Sequence, residues 1–109
     1  MTMSGMRAMW VLVMFDLPVV TKRQRKAATG FRTDLIKDGF DMVQYSVYSR
    51  PCPTDENAAV HVARVKSYLP PDGQVRILKF TDKQYARMEC FLSKSRTSPG
   101  AQPGQIMLF

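Results

Sequence analysis

Residues 10–18 read W-V-L-V-M-F-D-L-P, an apolar run that ends in an acid, a leucine and a proline. The seven residues 9–15 are all apolar and rich in branched and aromatic side chains, which favours a central strand covered on both faces of its sheet. Pro18 cannot donate a hydrogen bond to a strand ladder, so we expect the strand to end before it. The sequence therefore places Asp16 at the tip of a central strand, beside a loop.

The segment after this strand is strongly basic. Residues 21–32 contain no acid, and their basic residues are Lys22, Arg23, Arg25, Lys26 and Arg32. A helix that is merely solvated usually mixes both signs of charge, so this run favours contact with an anionic polymer. Arg50 is a further candidate for the same surface. The net charge of +7 agrees with a phosphate-bearing partner, although a basic protein surface without a ligand is the alternative.

Size and composition exclude several classes of protein. The 109 residues are enough for one domain with one core. Cys52, Cys90 and the single His61 lack the spacing of a disulfide framework or a zinc site. No apolar run approaches the roughly 20 residues of a transmembrane helix, so we expect no membrane contact and a cytoplasmic location.

The chain divides into a loose leader over residues 1–8, one domain over residues 9–93, and a linker with an apolar tail over residues 94–109. The tail ends in Gln105, Ile106, Met107, Leu108 and Phe109. We expect this pentapeptide to bind a partner by adding a strand to a sheet edge or by filling an apolar groove. The replication sliding clamp is one candidate partner, because Gln-Ile-Met-Leu-Phe resembles the clamp-binding pentapeptide.

Two helices are predicted from caps and apolar stripes. Thr21 and Gln24 fit a capping box, and Gly39 ends that helix. Its inward residues are Ala28, Phe31 and Leu35, widened by Ile36. Thr54 caps the second helix, whose inward residues are Ala58, Val62, Val65 and Leu69, with His61 on another face.

The remaining segments are predicted to be extended. Residues 40–51 favour strand structure, with a bend near residues 44–46, and residues 74–81 form a further strand. A short helical turn at residues 81–84 leads into a last extended piece around residues 88–92.

This order of elements predicts an α+β fold, the ferredoxin-like β-α-β-β-α-β arrangement with an extra C-terminal strand. Its antiparallel sheet carries both helices on one face, so the other face needs a cover. We expect a symmetric homodimer that packs sheet to sheet, with the extra strand extending the neighbour's sheet edge.

Asp16 is the candidate catalytic residue. A lone strand-end carboxylate is usually a loop cap, but a two-fold axis would bring two copies together, and a cation between them would relieve their repulsion. Mg²⁺ suits that position because it needs only one or two carboxylates and keeps waters that a phosphodiester oxygen can replace.

Three stretches together resemble the second CRISPR-associated protein family over about residues 9–92. They are V-L-V-M-F-D-L-P with the basic helix after it, G-F-D-M-V-Q-Y-S-V-Y-S-R, and V-R-I-L-K-F-T-D-K-Q. The resemblance implies a homodimer that joins the CRISPR integrase, the first CRISPR-associated protein, in capturing duplex DNA and inserting it as spacers. It also implies Mg²⁺-dependent endonuclease activity on RNA or duplex DNA in some members, with the strand-end aspartate, here Asp16, binding the metal.

The resemblance extends to residues around that aspartate. Arg23 and Arg25 match basic positions of the family, and Gln44, Ser46 and Tyr48 match its second motif. Phe15 stands where many relatives have tyrosine. These four non-basic residues are expected to support the site.

Three functions remain open from the sequence. The chain is a dimeric bridge for duplex DNA without chemistry of its own, a metal-dependent phosphodiesterase, or a free-standing toxin-like ribonuclease on the same fold.

Overall fold

Residues 9–16 form the central strand that their apolar run predicts. The computed structural model describes residues 8–92, and predictions for the leader and the tail lie outside that part. The elements are β1 (Met9–Asp16), α1 (Lys22–Lys37), β2 (Asp41–Gln44), β3 (Val47–Cys52), α2 (Asp55–Ser67), β4 (Gln74–Thr81) and α3 (Asp82–Ala86). The antiparallel sheet has the order β2-β3-β1-β4, which confirms the ferredoxin-like arrangement.

The two faces of β1 have different surroundings. Its odd-numbered residues Val11, Val13 and Phe15 are buried in the core with residues of α1 and α2. Its even-numbered residues Trp10, Leu12 and Met14 are only half-buried. The prediction of cover on both faces is therefore wrong for the single subunit, in which α1 and α2 cover one face. We call the other side of the sheet the open face.

Helix α1 begins and ends where the sequence predicts. Gln24 N donates to Thr21 Oγ1 at 3.0 Å and Thr21 N donates to Gln24 Oε1 at 3.1 Å, which confirms the capping box. Gly39 follows the helix with a φ of 89°, a conformation that favours glycine. The stripe of Ala28, Phe31 and Leu35 is buried, but Ile36 is 59% exposed and does not widen it.

Helix α2 is capped by Thr54 as predicted, and the predicted stripe faces the core as far as Val65, with Val62 half-buried against it. Its buried residues are Ala58, His61 and Val65. The prediction that His61 faces away was wrong, because its Nδ1 lies 2.9 Å from the carboxylate of Asp38. Leu69 lies beyond the helix and is 44% exposed.

The Asp38 carboxylate joins the end of α1 to α2. It also accepts hydrogen bonds from Arg64 at 3.1 Å and from the Tyr68 hydroxyl at 3.3 Å. Burial and the neighbouring Asp38 charge raise the pKa of Tyr68 above its ordinary value, which keeps the phenol protonated as a donor. Arg50 completes this junction, since its Nε donates to Asp38 O at 2.8 Å.

The hairpin between β2 and β3 turns at the predicted place. Tyr45 and Ser46 form the turn, and Ser46 has a φ of 63°. Phe15 N donates to Ser46 O at 3.0 Å. The hairpin tip is thereby fixed beside the exit of β1.

Helix α3 covers one end of the open face. Tyr85 stacks on Trp10 with ring centroids 3.9 Å apart and lies 5.6 Å from the Phe80 ring centroid. The predicted extra strand is absent from the described part of the chain, because residues 88–92 pair with no strand of the subunit. None of the helices in residues 8–92 has the length and apolar character needed to cross a membrane.

Candidate nucleic-acid site at the end of β1

Asp16 ends β1 as an exposed carboxylate. It pairs with Gln74 at the start of β4, so both side chains lie on the open-face side of the sheet. Within residues 8–92, the carboxylates that contact a basic side chain within 4.0 Å are those of Asp38 and Asp55. Asp16 is therefore free of a cationic partner in the described chain and can accept a cation.

Gly73 allows the backbone to pass close to Asp16. Its φ is 97°, and a Cβ at this position would lie 2.7 Å from Asp16 O and 2.8 Å from Leu17 Cδ2. Only glycine fits this approach without a shift of the backbone. The start of β4 thus depends on Gly73 to reach its place beside Asp16.

The basic residues of α1 divide into two groups. Lys22, Arg23 and Lys26 are exposed in the first turns of the helix. Arg25 is also exposed, but its guanidinium donates to Val19 O at 3.2 Å and Val20 O at 2.9 Å. Arg25 therefore holds the loop that follows Asp16, while the other three present free charge at the start of α1, which this loop leads into.

Arg32 lies apart from these residues, at the hairpin tip. Its guanidinium carbon is 5.6 Å from the ring centroid of Phe15 and 5.3 Å from that of Tyr45. It also donates to the Tyr45 hydroxyl at 3.4 Å. Two aromatic contacts and one hydrogen bond hold this cation beside the strand end.

Two cavities meet at Asp16. The larger, of about 430 Å³, is lined by Asp16, Arg32, Tyr45 and neighbouring residues of the hairpin and the loop. The smaller, of about 260 Å³, is lined by Asp16 together with Gln74 and Arg76 of β4. The carboxylate is accessible from both sides, and each side supplies an arginine.

The other predicted site residues lie in three different places: at the larger cavity, in the core and at the Asp38 junction. Gln44 and Ser46 line the larger cavity. Phe15 and Tyr48 are buried core residues whose ring centroids are 5.7 Å apart, so they support the strand end through packing. Arg50 lies at the Asp38 junction, where it also donates to Pro51 O at 2.8 Å.

Three residues of the site were missed or undervalued by sequence reasoning. Tyr45 falls within the predicted bend, where the sequence gives it only a supporting role, whereas in the structure it occupies the hairpin tip and is 46% exposed. Gln74 and Arg76 lie beside Asp16 because of strand register, with Arg76 paired to Met14. Alternation in β4 indicates that these two residues share a face, but only the pairing with β1 shows which face.

The donor chemistry at Asp16 fits a hard divalent cation. An exposed carboxylate next to the Gln74 amide supplies the oxygen ligands that Mg²⁺ prefers. No cluster of three or more His, Cys, Asp or Glu side chains suited to a metal occurs in the part of the chain that the structure describes. Among the described residues that line the two cavities, Asp16 supplies the carboxylate, which leaves most of a metal's coordination shell for water and ligand.

The fold and the strand-end site define a small ferredoxin-like α+β protein in which the exposed Asp16 carboxylate lies between Arg32 and Arg76. The sequence profile described as "CRISPR associated protein Cas2" matches residues 9–88. The chain therefore belongs to the CRISPR associated protein Cas2 family, which confirms the resemblance noted in the sequence.

Individual relatives agree with this assignment. A "CRISPR-associated endoribonuclease Cas2" of Parvibaculum lavamentivorans is 50% identical over 93% of this chain and 100% of the relative. One of Paracidovorax avenae with the same name is 48% identical over 98% of this chain and 99% of the relative. A solved structure described as a crystal structure of cas2 covers 94% of this chain and 98% of its own, with a TM-score of 0.50 and 18% identity, which supports the fold alone.

Proposed function

We propose that this protein acts in CRISPR spacer acquisition as a homodimer that binds duplex DNA and bridges integrase dimers. We further propose that Asp16 gives it Mg²⁺-dependent phosphodiesterase activity. Membership of the family supports a role in the CRISPR system. The name endoribonuclease, which the relatives carry, supports a nuclease.

The observation that carries the nuclease proposal is the exposed Asp16 carboxylate, which has no basic partner within 4.0 Å among the described residues. Asp16 would hold Mg²⁺, with the Gln74 amide in reach of a water or ligand in its shell. When bound, the metal polarises a phosphodiester oxygen and lowers the pKa of a coordinated water. Arg76 and Arg32, on the two sides of Asp16, would orient the flanking phosphates.

The homodimer proposal is supported by the open face. This surface carries Leu12 of β1 paired with Leu78 of β4, and Leu78 is 51% exposed. A second copy of the chain would remove this apolar surface from water. Because Asp16 points to the same side, a two-fold axis near the end of β1 would bring two carboxylates toward one metal.

The DNA proposal rests on charge. Lys22, Arg23 and Lys26 are exposed on α1 and form no ion pair with described residues. Contacts of this kind bind the phosphate backbone without reading base sequence, so affinity should fall steeply as salt is raised. The tail at residues 105–109 remains the candidate segment for the integrase or the sliding clamp.

The decisive variant is Asp16→Asn, which removes the charge and keeps the shape. We expect Mg²⁺-dependent cleavage of single-stranded RNA or duplex DNA to fall on the order of 100-fold or more, because the metal would lose the carboxylate that lines both cavities. Glu56→Gln is the matched control, since it removes an exposed carboxylate from the first turn of α2. Equal cleavage by wild type and Asp16→Asn would contradict the nuclease proposal.

The same two variants separate chemistry from bridging. Co-purification with the integrase and spacer acquisition in cells are measured alongside cleavage. Retained acquisition by an Asp16→Asn protein that no longer cleaves would assign the cellular role to the bridge, whereas lost acquisition would mean that the carboxylate is required. Wild-type protein that neither binds the integrase nor supports acquisition would contradict the bridging proposal.

The second candidate function is a free-standing toxin-like ribonuclease of the same fold, and the word endoribonuclease in the relatives' names supports only its ribonuclease activity. This function predicts growth arrest when the protein is expressed without the integrase, and rescue by Asp16→Asn. Normal growth with active protein would exclude it.

A further inference from the structure

We propose that the hairpin tip is a binding site for one unpaired nucleobase, which stacks on Tyr45 while its phosphate lies toward Asp16. Tyr45 and Arg32 together form what we call the stacking platform. The position of the phosphate rests on the proposed function of Asp16, whereas the stacking itself does not depend on cleavage.

The first argument is the exposure of the Tyr45 ring. Arg32 lies over this ring at 5.3 Å from its centroid, yet 46% of the residue remains exposed. A tyrosine that carries a cation against its ring and stays nearly half exposed can offer ring surface to a further planar group. Bases stack on such rings in single-strand binding proteins, often with an arginine contributing.

The second argument is that the platform is fixed before any ligand binds. The Tyr45 hydroxyl accepts a hydrogen bond from Arg32, which is itself held against Phe15. The next residue, Ser46, has the restricted φ of 63°, and its carbonyl accepts from Phe15 N. A ring held in this way loses little conformational entropy when a base stacks on it.

The third argument is the shape and charge of the adjoining cavity. Its volume of about 430 Å³ lies within the usual range for small-ligand sites, and Tyr45 and Asp16 both line it. Gln44 and Ser46 add polar groups that can meet the edge of a base. No carboxylate of residues 8–92 lies within 4.0 Å of the Arg32 guanidinium, so its charge is available to a phosphate.

These features select an unpaired nucleotide over a paired one. Both faces of a base inside a duplex are covered by its neighbours, so it can reach a protein ring only in a single strand, a loop or a frayed end. The stacking surface itself does not distinguish ribose from deoxyribose. The site therefore predicts binding of single-stranded segments of RNA or DNA next to Asp16.

The test compares Tyr45→Ala with Tyr45→Phe, because the second variant keeps the ring and loses the hydroxyl. Met42→Ala is the matched surface control, since Met42 lies on the same hairpin, is 58% exposed and does not line the cavity. The probes are short single-stranded RNA and DNA oligonucleotides containing one 2-aminopurine, and a blunt duplex of the same sequence. Binding is measured with EDTA present, so that cleavage does not contribute.

We expect Tyr45→Ala to weaken single-strand binding about 5- to 150-fold, the range that corresponds to loss of one base–aromatic stack. The quenching of 2-aminopurine on binding should disappear in this variant. Met42→Ala should keep both the affinity and the quenching. Tyr45→Phe should keep the quenching and lose much less affinity than Tyr45→Ala, because it loses the hydroxyl contact with Arg32 but keeps the ring. Duplex binding should be the same in all variants. Comparison of the RNA and DNA probes shows which nucleic acid the site prefers.

Three results would overturn the inference. They are unchanged single-strand binding by Tyr45→Ala, equal losses in Tyr45→Ala and Tyr45→Phe, and an equal loss of duplex binding. Asp16→Asn separates this inference from the proposed function, because it should retain the quenching. If the protein does not cleave but quenching depends on Tyr45, the stacking platform is supported and the nuclease proposal fails. If the protein cleaves but quenching does not depend on Tyr45, only the stacking platform is contradicted.

Discussion

Gly73 lies beside Asp16 and carries no chemistry, yet its backbone conformation and surroundings require glycine. Its φ of 97° and the 2.7 Å approach of a built Cβ to Asp16 O leave no room for a side chain. We expect Gly73→Ala to lower the free energy of unfolding by about 1–3 kcal/mol, since the new methyl group meets backbone and the conformation is strained. Urea denaturation followed by circular dichroism measures the change.

Gly30 provides the matched control for this prediction. It lies in the interior of α1, and a Cβ built on it meets nothing within 4 Å. Gly30→Ala should raise stability by about 0.5–1 kcal/mol, because alanine loses less backbone entropy in a helix. The same substitution is thus expected to have opposite signs at the two sites, and a stabilising Gly73→Ala would contradict the account of the strand end.

Single residues were predictable from sequence where a local rule applies to them. Asp16 could be placed at a strand tip because Pro18 limits the strand. Tyr45 and Arg32 could not be brought together, because their contact depends on how α1 lies across the hairpin. The role of Arg50 was hidden for the same reason, since its acceptor Asp38 O lies at the end of a helix twelve residues earlier in the chain.

At the scale of elements, the Asp38 carboxylate links α1 to α2. Its side chain is 7% exposed and contacts His61, Arg64 and Tyr68. We expect Asp38→Ala to lower the free energy of unfolding by about 2–4 kcal/mol, because the buried His61 and the half-buried Tyr68 lose the acceptor of their hydrogen bonds. Most of the loss should come from these two residues, since the Arg64 side chain is 59% exposed.

Asp34→Ala is the control for the Asp38 prediction. Asp34 lies one turn earlier on α1, and its carboxylate forms no salt bridge with described residues. Its replacement should change stability by less than about 1 kcal/mol. Equal effects of Asp34→Ala and Asp38→Ala in chemical denaturation would show that the junction does not hold the helices together.

The starts of the helices could be predicted well from their capping residues, whereas their buried faces could be predicted less well from apolar stripes. The capping box of α1 and the Thr54 cap of α2 fixed both helix starts. The stripe of α2 was predicted from apolar residues alone, and it missed His61 because a polar side chain can be buried where a carboxylate from another helix meets it. The strand expected near residues 88–92 failed because a strand requires a partner, which the single subunit does not supply.

At the scale of the whole molecule, the open face makes the homodimer testable. Leu78 on β4 is 51% exposed on this face, and Ile36 on α1 is 59% exposed. If two copies pack sheet to sheet, Leu78→Asp should leave the protein monomeric at micromolar concentration, since it buries an unpaired charge. Ile36→Asp should leave the dimer intact.

Light scattering after size-exclusion chromatography distinguishes these outcomes. A monomeric wild-type protein, or a dimer that Leu78→Asp leaves unchanged, would contradict sheet-to-sheet packing. Loss of the dimer in both variants would indicate a general effect of added charge.

The alternation of core residues and open-face residues along β1 restricts insertions and deletions in this part of the gene. Odd-numbered positions from 11 to 15 build the core, even-numbered ones form the open face, and Asp16 terminates the second set. Inserting or deleting one codon inside the strand would exchange the two sets and turn the acid toward the helices. Such length changes should therefore be purged from this strand far more strictly than conservative replacements of its individual residues.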